Sequence, residues 1–475
     1  MIQAVIFDMD GVLIDSEIVY LKHQYEALHK KYPWVTLESL YPLVGMSGTE
    51  DKPFLAGLLR RDAGDPAFLA EIDALYRSCT VHYPDILRPQ VPALLKTLRA
   101  MGLQVALASS SSTQNIHQVL SECGIEALFD YTISGDQFHR SKPNPEIYQC
   151  TMRRLGRRPE ECLIVEDSTY GVAAGVAAGA TVAALRDDRF PFDQSPAQLH
   201  IESLDEVPAL AACGGRRIRA AFFDVDGTLA AMGSHYLPDS ARRAIARLRE
   251  NGVAAIVSTG RHALELEEEN ILPGLDFDGY IYMNGQLCEL AGRPVLENRI
   301  APAELRALRV FLQQHHRSCI ILERDAMYTN LVDDRLVTEQ ARIGTAVPPV
   351  RDIDGLEDRA VYQVIPFVSP GEEAELMARM PGCKAMRWGE AVVDVATVSG
   401  GKEAGIRALC AALGITTEEI IAFGDGQNDI GMLQLAGIGV AMGNALDEVK
   451  AAADYVTDTV EADGLAHALQ HFHLI

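Results

Sequence analysis

Nine residues occur twice in this chain with little change: Val5-Ile6-Phe7-Asp8-Met9-Asp10-Gly11-Val12-Leu13 and Ala221-Phe222-Phe223-Asp224-Val225-Asp226-Gly227-Thr228-Leu229. Asp8 and Asp224 stand 216 positions apart, close to half the chain. Solenoid repeats recur every ~20–50 residues, so this spacing points instead to two related folding units in series. In each copy an apolar run ends on an aspartate, and a second aspartate follows two positions on. Side chains two apart in an extended segment face the same way, so both carboxylates can reach one site. The place for it is the carboxyl edge of a parallel sheet, where open α/β folds bind ligands.

The rest of the chain agrees with that architecture. Short apolar runs alternate with amphipathic stretches, the pattern of parallel β/α units. Strands are predicted over residues 4–7, 105–108, 131–134, 162–165 and 181–184 in the first half. In the second half they fall at 220–223, 254–257, 280–283, 420–423 and 438–441. Continuous apolar strands of this length suit a sheet covered on both faces. The expected fold is two Rossmann-like, three-layer α/β/α cores, each carrying an insert. Small, glycine-paired and basic residues around 211–217 read as the linker, giving domains 1–212 and 213–475. The first has a core of 1–15 and 84–212 with an all-helical insert over 16–83. The second has a core of 213–265 and 394–475 with an α/β insert over 266–393.

Composition narrows the function. A formal net charge of −24 disfavours nucleic acid and anionic lipid as partners. A phosphorylated small molecule then needs a local cation. Nine cysteines without a CxxC pair fit reduced thiols in a cytoplasmic protein. No signal peptide is visible, and no apolar stretch reaches membrane-spanning length.

An aspartate is ionised at neutral pH and needs no base to act as a nucleophile. Attack by Asp8 or Asp224 on phosphorus gives an aspartyl phosphate. Asp10 or Asp226 can protonate the departing oxygen and later deprotonate water. A Mg²⁺ ion offsets the repulsion between the two anions. Further polar motifs end other strands. Ser109 and Ser110 follow Leu107-Ala108, although a serine at a strand end is a turn residue more often than a ligand. Lys142 is braced by Pro143 and Pro145, and Glu166 and Asp167 form an acidic pair. The second half repeats the order with Ser258-Thr259-Gly260-Arg261, Lys402 and Gly424-Asp425-Gly426-Gln427-Asn428-Asp429.

Taken in order, these motifs resemble those of the haloacid dehalogenase superfamily of phosphatases, twice over and across nearly the whole chain. The resemblance implies that Ser109, Ser110 and Lys142, and in the second half Thr259, Gly260 and Lys402, hold the phosphoryl group. It implies Mg²⁺ on Asp8, the Asp10 carbonyl, Glu166 and Asp167, and on Asp224, Asp226 and Asp425, with Asn428 and Asp429 binding through water or orienting those ligands. The first half, with its insert between the first two motifs, resembles the β-phosphoglucomutase-like branch. The second, with its insert between the second and third, resembles the Cof-type sugar-phosphate phosphatases, including the Asn284-Gly285 turn. Where a mutase carries a cap arginine, a histidine and a lysine, this chain has Gly48, Tyr20 and Ser112. That favours hydrolysis of a small sugar or polyol monophosphate over phosphoryl migration. An isomerase in the first half, or one non-catalytic half, are the alternatives; oligomeric state is open.

Overall fold

A computed structural model describes residues 1–475 except Gly45–Glu50, Ser234, His235 and Gly344. It divides into two units, Met1–Arg217 and Ile218–Ile475. The first holds a parallel sheet of strands β1 (Ala4–Phe7), β2 (Gln104–Ser109), β3 (Tyr131–Ser134), β4 (Cys162–Glu166), β5 (Thr181–Leu185) and β6 (Leu199–Ile201). Their order is β3-β2-β1-β4-β5-β6. Both faces are covered, and side-chain alternation splits the core accordingly. Val5, Phe7, Leu107 and Val165 pack on one face; Ala4, Ile6, Ala108 and Ile164 pack on the other. Fully burying one such Val, Leu, Ile or Phe side chain is worth about 1.5–3 kcal/mol. The insert forms helices Glu17–Lys31, Asp51–Leu59 and Pro66–Ser78. Its own apolar cluster includes Leu21, Leu28, Leu55, Phe68 and Ile72.

The boundary lies five residues beyond the predicted one. Leu210 and Ala211 belong to the first unit's core, Cys213 is buried, and Arg217 donates to the His200 carbonyl at 2.5 Å. The small and basic residues of this stretch therefore finish the first unit rather than link two.

In the second unit the core sheet contains β7 (Ala220–Phe223), β8 (Ala254–Ser258), β9 (Gly279–Tyr282), β10 (Leu287–Leu290) and β11 (Arg293–Glu297). The insert sheet contains β12 (Cys319–Glu323), β13 (Met327–Thr329), β14 (Val361–Pro366), β15 (Cys383–Arg387) and β16 (Val393–Thr397). Strands β17 (Ile420–Gly424), β18 (Ile438–Ala441) and β19 (Tyr455–Val456) complete the core sheet. The core order is β11-β10-β9-β8-β7-β17-β18-β19, and the insert order is β13-β12-β14-β16-β15. The insert is therefore shorter than the predicted 266–393. Strand β9 pairs parallel with β8, and β10 and β11 return antiparallel to widen the core sheet. At the other end, β16 keeps Thr397 in the insert sheet by pairing with β15. Among the described residues, no helix is long and apolar enough to cross a membrane.

Candidate active sites

In the first unit, β1 ends on Asp8, whose backbone N–H donates to the Val165 carbonyl at the end of β4. The acidic pair that closes β4 is thereby set beside it. Lys142 reaches in from the loop before helix Glu146–Leu155. Its Nζ donates to Asp8 Oδ1 at 2.6 Å, to Glu166 Oε1 at 2.6 Å and to the Ala108 carbonyl at 3.1 Å. All three side chains are buried. Tyr148 Oη donates to the same Glu166 oxygen at 2.6 Å, and Glu166 Oε2 accepts from the Asp167 N–H at 3.1 Å. Both Glu166 oxygens thus accept hydrogen bonds, one of them from the lysine. Asp8, Glu166 and Asp167 each bring a carboxylate oxygen within 4.8 Å of the others.

The second unit builds the same arrangement. Lys402 opens helix Lys402–Leu413 and donates to Asp224 Oδ1 at 2.5 Å and to Asp429 Oδ1 at 2.6 Å. Asp429 Oδ2 accepts from the Asp425 and Gly426 N–H groups at 3.0 and 2.9 Å. Asp429 is therefore the counterpart of Glu166, and Asp425 of Asp167. Asp224, Asp425 and Asp429 form the matching carboxylate cluster. Asn428 points elsewhere, donating to Asn284 Oδ1 at 3.2 Å. The two glycines before Lys402 have a packing cause. A Cβ on Gly400 would lie 1.8 Å from Gln286 Nε2, and Gly401 has φ +154°, with a Cβ there 2.9 Å from Glu403 Oε2; the Gly401 carbonyl in turn lies where a Cβ on Gly285 would be, 2.0 Å away. Close backbone contact here delivers the lysine to Asp224.

Electrostatics separate the groups. Burial pushes Asp8 up to about 7 against the pull of Lys142. Burial, then Glu166, lifts Asp167 well above the carboxylate range. Burial, then Asp429, does the same to Asp224 and carries Asp425 to about 6. Burial works against the charge of both lysines, yet the paired carboxylates outweigh it and hold each above the usual lysine range. In each cluster three carboxylates face one lysine. The surplus negative charge and the all-oxygen donor set fit a hard divalent cation.

Neither Asp10 nor Asp226 belongs to the three-carboxylate clusters. Asp10 accepts from the Ser16 and Ser111 hydroxyls, both at 2.7 Å. Asp226 takes a two-armed contact from Arg261, at 2.7 and 2.9 Å. Ser111 and Arg261 are equivalent: their N–H groups donate to Ser109 Oγ and Thr259 Oγ1 at 3.0 and 3.1 Å. Ser109 and Thr259 are buried at the ends of their strands, while Ser110 is exposed and Gly260 half-buried. Sequence reading missed Ser111, Tyr148 and the role of Arg261. Ser111 and Arg261 share a position two residues past the strand-end hydroxyl, and comparing the halves there would have found them. Of the three positions compared with a mutase, Tyr20 and Ser112 line the first unit's cavity, Ser112 also capping helix Thr113–Glu122; Gly48 lies outside the described residues.

Gly11 and Gly227 explain the invariant end of the repeat. Both adopt positive φ, +77° and +80°, and a Cβ would sit 1.9 Å from Asp167 Oδ2 or 2.1 Å from Asp425 Oδ2. Gly11→Ala and Gly227→Ala are each expected to destabilise their unit by at least about 1–2 kcal/mol from backbone strain alone. Turnover should also fall at least tenfold (about 1.4 kcal/mol of barrier) as the acidic side chain is displaced. Denaturant melts and phosphate-release rates check both.

The sheets and the polar clusters at their carboxyl edges define a doubly wound α/β protein that carries one design twice. Two profiles of haloacid dehalogenase-like hydrolases match it, over residues 2–179 and 221–469. The Bacillus subtilis protein YkrA, provisionally named a phosphatase, is 30% identical over 256 residues, 54% of this chain and 97% of its own. The Thermotoga maritima phosphorylated carbohydrates phosphatase is 31% identical over 180 residues, 37% of this chain and 82% of its own. A solved phosphatase of the haloalkanoate enzyme superfamily from Bacteroides thetaiotaomicron is 32% identical, with a TM-score of 0.50, covering 55% of this chain and 96% of that one. The chain belongs to the haloacid dehalogenase-like hydrolase family, with two such hydrolase regions in tandem.

Proposed function

We propose that each unit hydrolyses small phosphate monoesters, of sugar or polyol type, at its own Mg²⁺-assisted site. One observation carries this reading: in both units a buried lysine bridges the strand-end aspartate to a second carboxylate, with a third carboxylate beside them. A binding-only pocket gains little from so much like charge. The named activity of the Thermotoga relative supports a carbohydrate leaving group.

With one oxygen of Asp8 or Asp224 held by its lysine, the other is left to attack phosphorus, giving an aspartyl phosphate. Ser109 or Thr259 and the N–H that follows orient the phosphoryl oxygens. Asp10 and Asp226 protonate the leaving oxygen, then take a proton from water. Asp226 must release one arm of the Arg261 contact to do so, whereas Asp10 need only turn away from a hydroxyl. Mg²⁺, when bound, would be held by Asp8, the Asp10 carbonyl and Asp167, or by Asp224, the Asp226 carbonyl and Asp425, and would supply the positive charge that lets anion meet anion. Glu166 and Asp429 hold the lysines beside the ion's place, and Asn428 would act only through water.

A panel of phosphate monoesters assayed with Mg²⁺ and with excess chelator tests this. Release is expected to drop to background under chelation. The melting temperature should rise with Mg²⁺, by the equivalent of about 2.7 kcal/mol at a hundredfold excess over Kd. Full turnover in chelator would overturn the metal-assisted reading.

A further inference from the structure

Tyr148 is fully buried in the first unit, on helix Glu146–Leu155 just after the loop that carries Lys142. Its ring packs with Ile6, Ala108 and Ile164 on one face of the sheet. Lys142 Nζ lies over that ring, 4.8 Å from its centroid. A desolvated ammonium is drawn to the negative face of an aromatic ring. The three N–H groups of this ammonium are already taken by Asp8, Glu166 and the Ala108 carbonyl. The Tyr148 hydroxyl donates to Glu166 Oε1, the same oxygen that accepts from Lys142. Glu166 is enclosed elsewhere too. Its Oε2 accepts from the Asp167 N–H at 3.1 Å, and a Cβ on Gly171 would come 1.9 Å from Oε1. The second unit lacks a counterpart to Tyr148. Among the described residues, no side-chain hydroxyl donates to Asp429 and no ring lies over Lys402.

We propose that Tyr148 is a positioning residue of the first site: its hydroxyl shares the negative charge of Glu166, its ring backs the ammonium, and together they keep Lys142 turned to Asp8. The inference rests on the reading of Asp8 as the attacking group. Without the hydroxyl, Glu166 Oε1 would direct its full charge at Lys142 and draw the ammonium away from Asp8. Asp8 would then lose the contact that fixes one of its oxygens and leaves the other free for attack. Glu166 also has one more rotatable bond than Asp429, so it needs the extra restraint. Filling space in the core is the plainer role of a buried tyrosine. Phenylalanine fills the same space, and that role does not call for a hydroxyl on Glu166.

The test uses the full chain with Asp224→Asn, which silences the second site. Turnover of p-nitrophenyl phosphate and glucose 6-phosphate is followed in Mg²⁺, at a temperature that thermal melts place well below unfolding of every variant. Tyr148→Phe keeps the ring and removes only the hydroxyl. It is expected to lower kcat at least about fivefold with KM held within about twofold, because the loss falls on the reacting geometry rather than on ester binding. Tyr148→Leu removes the ring as well and should lower kcat at least about fiftyfold. A smaller fall in Tyr148→Phe overturns the inference, whatever Tyr148→Leu does. So does a Tyr148→Phe change that lies in KM alone. If the Asp224→Asn chain turns over neither ester before Tyr148 is altered, the two-site reading itself fails, and this inference with it.

Discussion

Asp8→Asn in the full chain is expected to abolish turnover of one set of phosphate esters by at least about 10⁴-fold, the scale of losing a catalytic nucleophile. Asp224→Asn should do the same to the set handled by the second unit. Asparagine keeps the size of the side chain and can still accept from Lys142 or Lys402, but its amide does not attack phosphorus. The effect is therefore chemical rather than structural, and thermal melts should show each variant folded. The double variant should be inactive on every ester tested. Phosphate release on a common panel, run for both single variants and the double, checks this. A double variant with the parent's Mg²⁺-dependent rate would remove both aspartates from the mechanism.

Lys142→Met and Lys402→Met carry the largest expected stability cost. Each lysine is buried and bonded to two carboxylates, Asp8 and Glu166 in one case and Asp224 and Asp429 in the other. Removing one member of a buried ion pair leaves an uncompensated charge, at about 3–5 kcal/mol. The sign of the pH dependence follows. Without the lysine, the upward push of burial on Asp8 or Asp224 is unopposed, and that carboxyl binds its proton more tightly in the folded state than in the unfolded chain. A group with a raised folded pKa adds stability at pH below its unfolded value, and that stability is lost as pH rises. The deficit against the parent should therefore be widest near neutrality and shrink below about pH 4. Denaturant melts across pH, in chelator, measure it; a deficit that does not vary with pH would mean that the carboxylates are not what the lysine stabilises. Turnover at the altered site should vanish in both variants.

Much of this was legible before any coordinates. The doubled aspartate motif and the strand positions come from local patterns, and both lysines from the family resemblance that their motifs carry. A continuous apolar run ends in a polar residue because a strand buried on both faces has to leave the sheet at its carboxyl edge. The inserts were legible as inserts, but their limits were not. Strands β10 and β11 join the core sheet only because the Asn284-Gly285 turn folds Leu287–Leu290 back onto Gly279–Tyr282. A run of residues does not reveal which sheet it will pair with. Nor was the division of labour among carboxylates visible. Glu166 and Asp167 are neighbours with the same chemistry, yet one is turned into the lysine and the other toward Gly11.

From its amino-acid order alone, then, the chain determined that two α/β units each end a strand in a paired aspartate and bring a lysine and an acidic loop after it. Covalent spacing and side-chain pattern are local properties, enough for the strands and their paired aspartates, while the lysine and the acidic loop are what the family resemblance implies. Tertiary structure decided which carboxylate holds the lysine, and that Asp10 rests on hydroxyls while Asp226 rests on an arginine. Those outcomes depend on burial and on partners as many as 178 residues apart, as for Lys402 and Asp224, and a charge's surroundings exist only once the chain has closed around it.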